Sequence, residues 1–159
     1  MDSTRSRGEA ATEMTELRYD EEATNRLLAV YVTPDVVAQR AQFLHALGPQ
    51  AGERVLDVGS GPGFLAAAIA EAVGSSGTVH CAHQSWVEFR RADATQLPFS
   101  DHAFDAVIST QVLEYIRDVD AALAEVHCVV SRTGLAIIVD TDWDSIVWYS
   151  PDRERMNRL

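Results

Sequence analysis

The sequence predicts a three-layer α/β fold, a mostly parallel β-sheet with helices on both faces. Three observations predict it. The run "RVLDVG" at residues 54–59 is a short apolar stretch bounded by turn residues, the pattern of a strand buried on both sides. Gly59, Gly61 and Gly63 follow at once and open into a helical repeat of Leu65, Ala68, Ile69, Ala72 and Val73. Further apolar runs then alternate with helical and loop segments, the order expected of a parallel sheet with crossovers.

Residues 1–14 are polar, small and without period, and are expected to form a disordered tail. Residues 15–159 are expected to form one domain: N-terminal helices over 15–50, a core over 51–141 and a C-terminal segment over 142–159. Leu17, Leu27, Leu28, Val30 and Tyr31 mark an irregular first helix. Thr33-Pro34 then supplies an N-cap followed by proline at the first helical position. Val36, Arg40, Phe43, Leu44 and Leu47 recur at helical spacing until Gly48-Pro49 stops them. The first strand is "RVLDVG", and the helix after its glycine loop ends at Gly74, where a C-terminal cap belongs. "TVHC" at 78–81 is the expected second strand, "WVEFRR" at 86–91 the third and "FDAVIST" at 104–110 the fourth. A helix over 118–130 carries Val119, Leu123, Val126 and Val130 on one face. The fifth strand is "LAIIVDT" at 135–141.

The chain has 159 residues, 47% of them hydrophobic and 23% charged, which suits a single soluble domain with a real core. Its 13 basic residues, all Arg, stand against 24 acidic ones, a net charge of −11 that repels nucleic-acid backbones and anionic lipid. Neither nucleic acid nor membrane is an expected partner. The first residues contain no apolar run of the kind a signal peptide or membrane span needs, so the expected location is cytoplasmic. Cys81 and Cys128 are far apart and form no CxxC pair, so neither a disulfide framework nor a metal site is expected.

A loop at the carboxyl end of the first strand of an open α/β sheet faces the crevice where such sheets bind ligands. Glycines there let backbone approach a ligand closely. The following helix points free N–H groups and its positive end at the same place, favouring a carboxylate or phosphate. The dinucleotide fingerprint G-x-G-x-x-G/A needs a small third residue, and this chain has Phe64 there. The observed spacing is instead Asp57-x-Gly59-x-Gly61-x-Gly63.

That pattern resembles the first motif of class I S-adenosylmethionine-dependent methyltransferases, which have a Rossmann-like fold. Residues 90–134, "RRADATQLPFSDHAFDAVISTQVLEYIRDVDAALAEVHCVVSRTG", are similar to the matching part of the type 11 small-molecule methyltransferase group. The resemblance implies S-adenosylmethionine as cofactor and a small-molecule acceptor. It implies Asp57, Gly59, Ser60, Gly61 and Gly63 around the methionine end, Asp93 and Ala94 at the adenine, and Thr110 and Gln111 along the methionine side. The "SRTG" at 131–134 resembles the family's turn before strand five. In-line methyl transfer needs alignment more than acid–base groups. His80, His83, His102 and Tyr115 are therefore noted as titratable side chains near the crevice, and no catalytic residue is assigned.

The sequence departs from the family at two places. No carboxylate lies between Glu71 and Glu88, where the family carries an acid for the ribose hydroxyls. The link between strands two and three is shorter than the dozen or so residues of a parallel crossover. An internal deletion after strand two is therefore expected, and the fold is expected to be incomplete. The C-terminus looks truncated, leaving Trp143, Ile146, Val147 and Trp148 as an exposed apolar patch suited to self-association. The alternative to a working enzyme is a degenerate or truncated, non-catalytic methyltransferase relative.

Overall fold

The structure is a computed structural model in which residues 21–80, 87–88 and 92–142 are described. In chain order the elements are helices α1 (Glu21–Tyr31) and α2 (Pro34–Leu47), strand β1 (Arg54–Val58) and helix α3 (Phe64–Val73). Strands β2 (Thr78–His80), β3 (Val87–Glu88) and β4 (Phe104–Thr110), helix α4 (Val119–Val129) and strand β5 (Val130–Val139) complete them. The five strands form one sheet in the order β3-β2-β1-β4-β5, and every neighbouring pair is parallel.

Alternation along the central strands builds two cores. Val55 of β1 and Ala106 and Ile108 of β4 turn toward Leu65, Ala66, Ile69 and Val73 of α3 and Leu47 of α2. Leu56 and Val58 turn the other way, with Phe104 and Val107, toward Val126 and Val129 of α4. Helices thus cover both faces, as the unbroken apolar runs require. Each such aliphatic side chain, fully buried, contributes about 1.5–3 kcal/mol. α3 packs against β1, β2 and β3, so one helix spans the sheet face from the centre to the outer strand.

Local signals placed most boundaries. α2 starts with Pro34 behind an extended Thr33 and ends at Gly48 in the left-handed conformation. Asp118 caps α4 through its side chain, which accepts the Ala121 N–H at 3.0 Å. β4 covers the expected residues.

Among the described residues of the expected third strand, β3 covers Val87–Glu88, in register with Val79 and His80 of β2, and residues 86 and 89–91 lie outside the described residues. One strand differs from expectation. β5 begins at Val130 directly after α4, so the expected turn at 131–134 lies inside a strand. The register explains the discrepancy. Phe104 pairs with Val130 and Ala106 with Leu135, so Asp105 alone stands opposite the four residues 131–134. The turn-like sequence forms a wide bulge instead of a connection.

The expected tail over 1–14, the shortened link over 81–86, and the apolar patch and the rest of the C-terminal segment beyond residue 142 lie outside the described residues.

At the amino ends of β1 and β4, Asp105 Oδ2 accepts the Arg54 backbone N–H at 2.9 Å. The Arg54 guanidinium lies at 3.3 and 3.4 Å from the same carboxylate. The backbone and side-chain donors of Arg54 hold the Asp105 carboxyl below the ordinary carboxylate range. Both side chains are partly exposed, so the ion pair itself contributes little. Asp105→Ala is expected to lower stability by about 1 kcal/mol, because the β1 N–H loses its acceptor, and Arg54→Ala by less than that. Urea denaturation of both variants checks the order. The Asp105 contribution is expected to be present above pH 4 or so and to vanish as pH falls through the depressed folded value.

Candidate functional site

A cleft of about 540 Å³ opens at the carboxyl ends of β1 and β4. Its floor is the glycine loop, Gly59, Ser60, Gly61 and Pro62, with Asp57 beneath it. Thr110, Gln111 and Tyr115, after β4, form one side. α1 and α2 form the roof through Leu27, Val30, Tyr31, Val36, Gln39, Arg40 and Phe43.

β1 delivers Asp57 to this position. Val55 faces the α2–α3 side of the sheet, and Asp57, two residues on, faces the same way just where the covering helices give way to the cleft. The residue is only 1% exposed, and its Oδ2 has no hydrogen-bond partner. Desolvation by burial pushes its carboxyl up to about 7. Among the described residues Asp57 is the only carboxylate lining the cleft.

The loop conformation explains its glycines. At Gly59, φ is 75°, and a Cβ would land on the Val112 side chain. At Gly61, φ is 51°, and a Cβ would stand 3.2 Å from the Tyr31 hydroxyl oxygen. Gly63 precedes α3 with φ 82°, and no side chain caps that helix. The first N–H groups of α3 are thus left to a ligand.

Phe64, the first residue of α3, joins floor to roof. Its ring stacks with Tyr31 at 5.9 Å between centroids, and the Arg40 guanidinium carbon lies 5.1 Å from the ring centre. Arg40 Nη1 also donates to the Tyr31 carbonyl at 3.2 Å, at the carboxyl end of α1. On the opposite wall Gln111 holds a left-handed conformation, φ 55°. It is fixed by its N–H to the Val139 carbonyl at 2.7 Å and by its amide to Thr141 Oγ1 at 2.8 Å.

Of the residues expected from sequence, the cleft brings together Asp57, Gly59, Ser60, Gly61, Thr110 and Gln111. Gly63 is buried behind it and acts through the start of α3. Asp93 and Ala94 do not line it. The Asp93 carboxylate is exposed and turned onto its own turn, where Oδ1 accepts from Thr95 N and Oγ1 at 2.9 and 2.8 Å. These bonds hold its carboxyl low. Ala94 packs into the core under α4.

Tyr115 lines the mouth and is 68% exposed. His80 packs edge-on against Phe99 and Phe104, away from the cleft. His102 lies before β4, at the opposite end of the sheet, with Nδ1 2.9 Å from the Val130 carbonyl. His83 is outside the described residues.

Sequence reading missed the roof. Its signal was present in α2, where Arg40 interrupts the apolar stripe Val36, Phe43, Leu44 and Leu47. Of these only Leu47 is buried. A charge in the inner stripe marks the part of a helix that faces a cavity, while Leu47 at its end reaches the core.

A cofactor with an α-amino-acid end fits these residues: an ammonium meets the orphaned Asp57 oxygen, and a carboxylate meets the uncapped start of α3. Comparison with known proteins agrees. A family model for a methyltransferase domain matches residues 56–138, and one for protein-L-isoaspartate(D-aspartate) O-methyltransferase matches residues 6–96. A demethylmenaquinone methyltransferase of Clavibacter sepedonicus is 34% identical over 113 residues, covering 64% of this chain and 46% of its own length. An uncharacterized methyltransferase of Mycolicibacterium vanbaalenii is 31% identical over 142 residues, covering 82% of this chain and 56% of its own. The chain spans 38% to 56% of the length of the curated relatives it matches. A solved S-adenosylmethionine-dependent methyltransferase from Aquifex aeolicus shares the fold, with TM-score 0.66 and 20% identity over 86% of this chain and 80% of that one. The sheet order, the loop and the family match agree, and the chain belongs to the class I S-adenosylmethionine-dependent methyltransferases.

Proposed function

We propose that this chain transfers a methyl group from S-adenosylmethionine to a small-molecule acceptor held under α1 and α2. One observation carries the reading: a buried carboxylate oxygen without a partner shares a cleft with an uncapped helix start. Bound there, the cofactor supplies an electrophilic methyl group on a positively charged sulfur. Asp57 takes the ammonium, the first N–H groups of α3 take the carboxylate, and the left-handed turn at Gln111 borders the chain between them. Asp93 and Ala94, implied by the resemblance to meet the adenine, are not part of the cleft on which this reading rests.

Support for a small acceptor comes from the size and lining of the cleft. About 540 Å³ lies within the range of small-molecule sites. Leu27, Val30, Val36 and Phe43 give the roof an apolar surface against which a small acceptor can lie. The demethylmenaquinone methyltransferase relative is consistent with such an acceptor. No catalytic base is needed for the methyl to leave sulfur, so the chain's contribution is alignment of acceptor and donor.

Cofactor binding is tested by a thermal melt with S-adenosylmethionine or its product S-adenosylhomocysteine. Ligand at a hundredfold excess over its dissociation constant adds about 2.7 kcal/mol, a rise of roughly 5–10 °C for a domain of this size. An unchanged midpoint at millimolar ligand would remove the catalytic reading. Transfer itself is read by incorporation of labelled methyl into small molecules of a cell extract.

Two pH effects of opposite sign follow from Asp57. Without ligand, the raised carboxyl keeps its proton in the folded state between about pH 4 and 7, while the unfolded chain has already lost it. Folding stability therefore falls as pH rises through that window. Asp57→Asn is expected to raise the melting midpoint at pH 8 more than at pH 5, each recovered kcal/mol counting for about 2–4 °C. Cofactor binding moves the other way, because only the ionised carboxylate pairs with an ammonium. Affinity is expected to rise about tenfold from pH 6 to 8 as that form becomes dominant, and Asp57→Asn is expected to weaken binding and flatten the profile. Calorimetric titrations across pH measure both.

A further inference from the structure

We propose that Arg40 binds the carboxylate of the cofactor's amino-acid end, so that α2 completes a site whose remainder comes from the sheet and its glycine loop. The proposal rests on the reading that the cleft takes S-adenosylmethionine, and it adds a residue outside the segment 56–138 that carries the methyltransferase-domain match.

Three observations converge on it. The first is the position of Asp57. Its unpartnered oxygen sets where an ammonium sits, and in an α-amino acid the carboxylate is attached to the same carbon. That places an anion at the start of α3, whose first N–H groups have no side-chain cap. The second is that the Arg40 guanidinium is packed on the ring of Phe64, the first residue of that helix, with its carbon 5.1 Å from the ring centre. The third is the state of Arg40 itself. It is half-buried, whereas Arg26, Arg54, Arg117 and Arg132, the other described arginines, are exposed. Among the described residues, Arg26 pairs with Glu22 and Arg54 with Asp105, but no carboxylate bridges Arg40.

Its environment holds the cation in place without neutralising it. The Tyr31 carbonyl accepts one N–H of a group with five donors, and the Phe64 ring supports one face. The rest of the fork is left to an anion. The chain's charge of −11 favours a cofactor whose net charge is +1, and a local cation is what its carboxylate end in particular needs. Since Arg40 also bonds the last residue of α1, a carboxylate on it ties the cofactor's amino-acid end to the roof that covers the acceptor.

The test compares two ligands that share an adenosine and a sulfur. S-Adenosylhomocysteine carries the amino-acid end, and 5′-methylthioadenosine lacks it. Calorimetric titration of the intact chain is expected to show Arg40→Gln weakening S-adenosylhomocysteine about tenfold to a hundredfold, with 5′-methylthioadenosine changed by no more than about twofold. Arg40→Lys is expected to fall between wild type and Arg40→Gln, since it keeps the charge and loses the fork. Equal losses for both ligands would show that Arg40 only holds the cleft walls together, and would overturn the proposal. So would an S-adenosylhomocysteine affinity unchanged in Arg40→Gln, which leaves the cation to the acceptor. If wild type binds neither ligand, the parent reading fails and this one falls with it.

Discussion

A carboxylate removed from water must either keep a proton or find a cation, and Asp57 is the residue on which this constraint falls. Burial at the end of β1 leaves Oδ2 without a partner and raises the carboxyl to about 7. The neutral form relieves the strain at a cost in charge complementarity. A ligand ammonium relieves it better, because the ion pair forms in the same low-dielectric cleft that penalised the lone charge. Asp57 is thus both the least comfortable group in the sheet and the most informative about what enters the cleft.

The surrounding architecture follows from placing that group. The parallel order carries β1 to the centre, where both faces must be covered, and the covering helices stop short at the carboxyl ends of the strands. Glycines then permit the chain to turn beneath Val112 and Tyr31, into space that a side chain would fill. α2 is anchored in the core through Leu47, with Phe43 and Leu44 packed against it, and the contacts of Tyr31, Arg40 and Phe64 join this roof to the floor.

Legibility in the sequence tracked the distance over which the determining forces act. Strands β1 and β4 were readable because burial on both faces writes an unbroken apolar run. The caps at Pro34, Gly48 and Asp118 were readable because a cap is decided within a few residues. β5 was misjudged at its start. "SRTG" has turn chemistry, and only pairing with β4, settled across 26 residues of sequence between Phe104 and Val130, makes it a bulge. The glycine loop of the floor was legible from its spacing, and its reading as a cofactor site came from the resemblance. Asp93 and Ala94 came from resemblance, and their local bonding and packing hold them away from the cleft. The roof was not read as a site at all, since a helical stripe looks the same whether it faces a core or a hollow. The charge of Arg40 within that stripe was the one mark that distinguishes them.

The bulge at residues 131–134 has a consequence for how the molecule meets copies of itself. β5 is the outermost strand on its side among the described residues, and an outer strand is where a further extended segment pairs. Four residues facing one on β4 break the ladder at its beginning, so the straight, regularly spaced row is confined to residues 135–139. Among the described residues, an approaching strand would find only that short regular row to pair with.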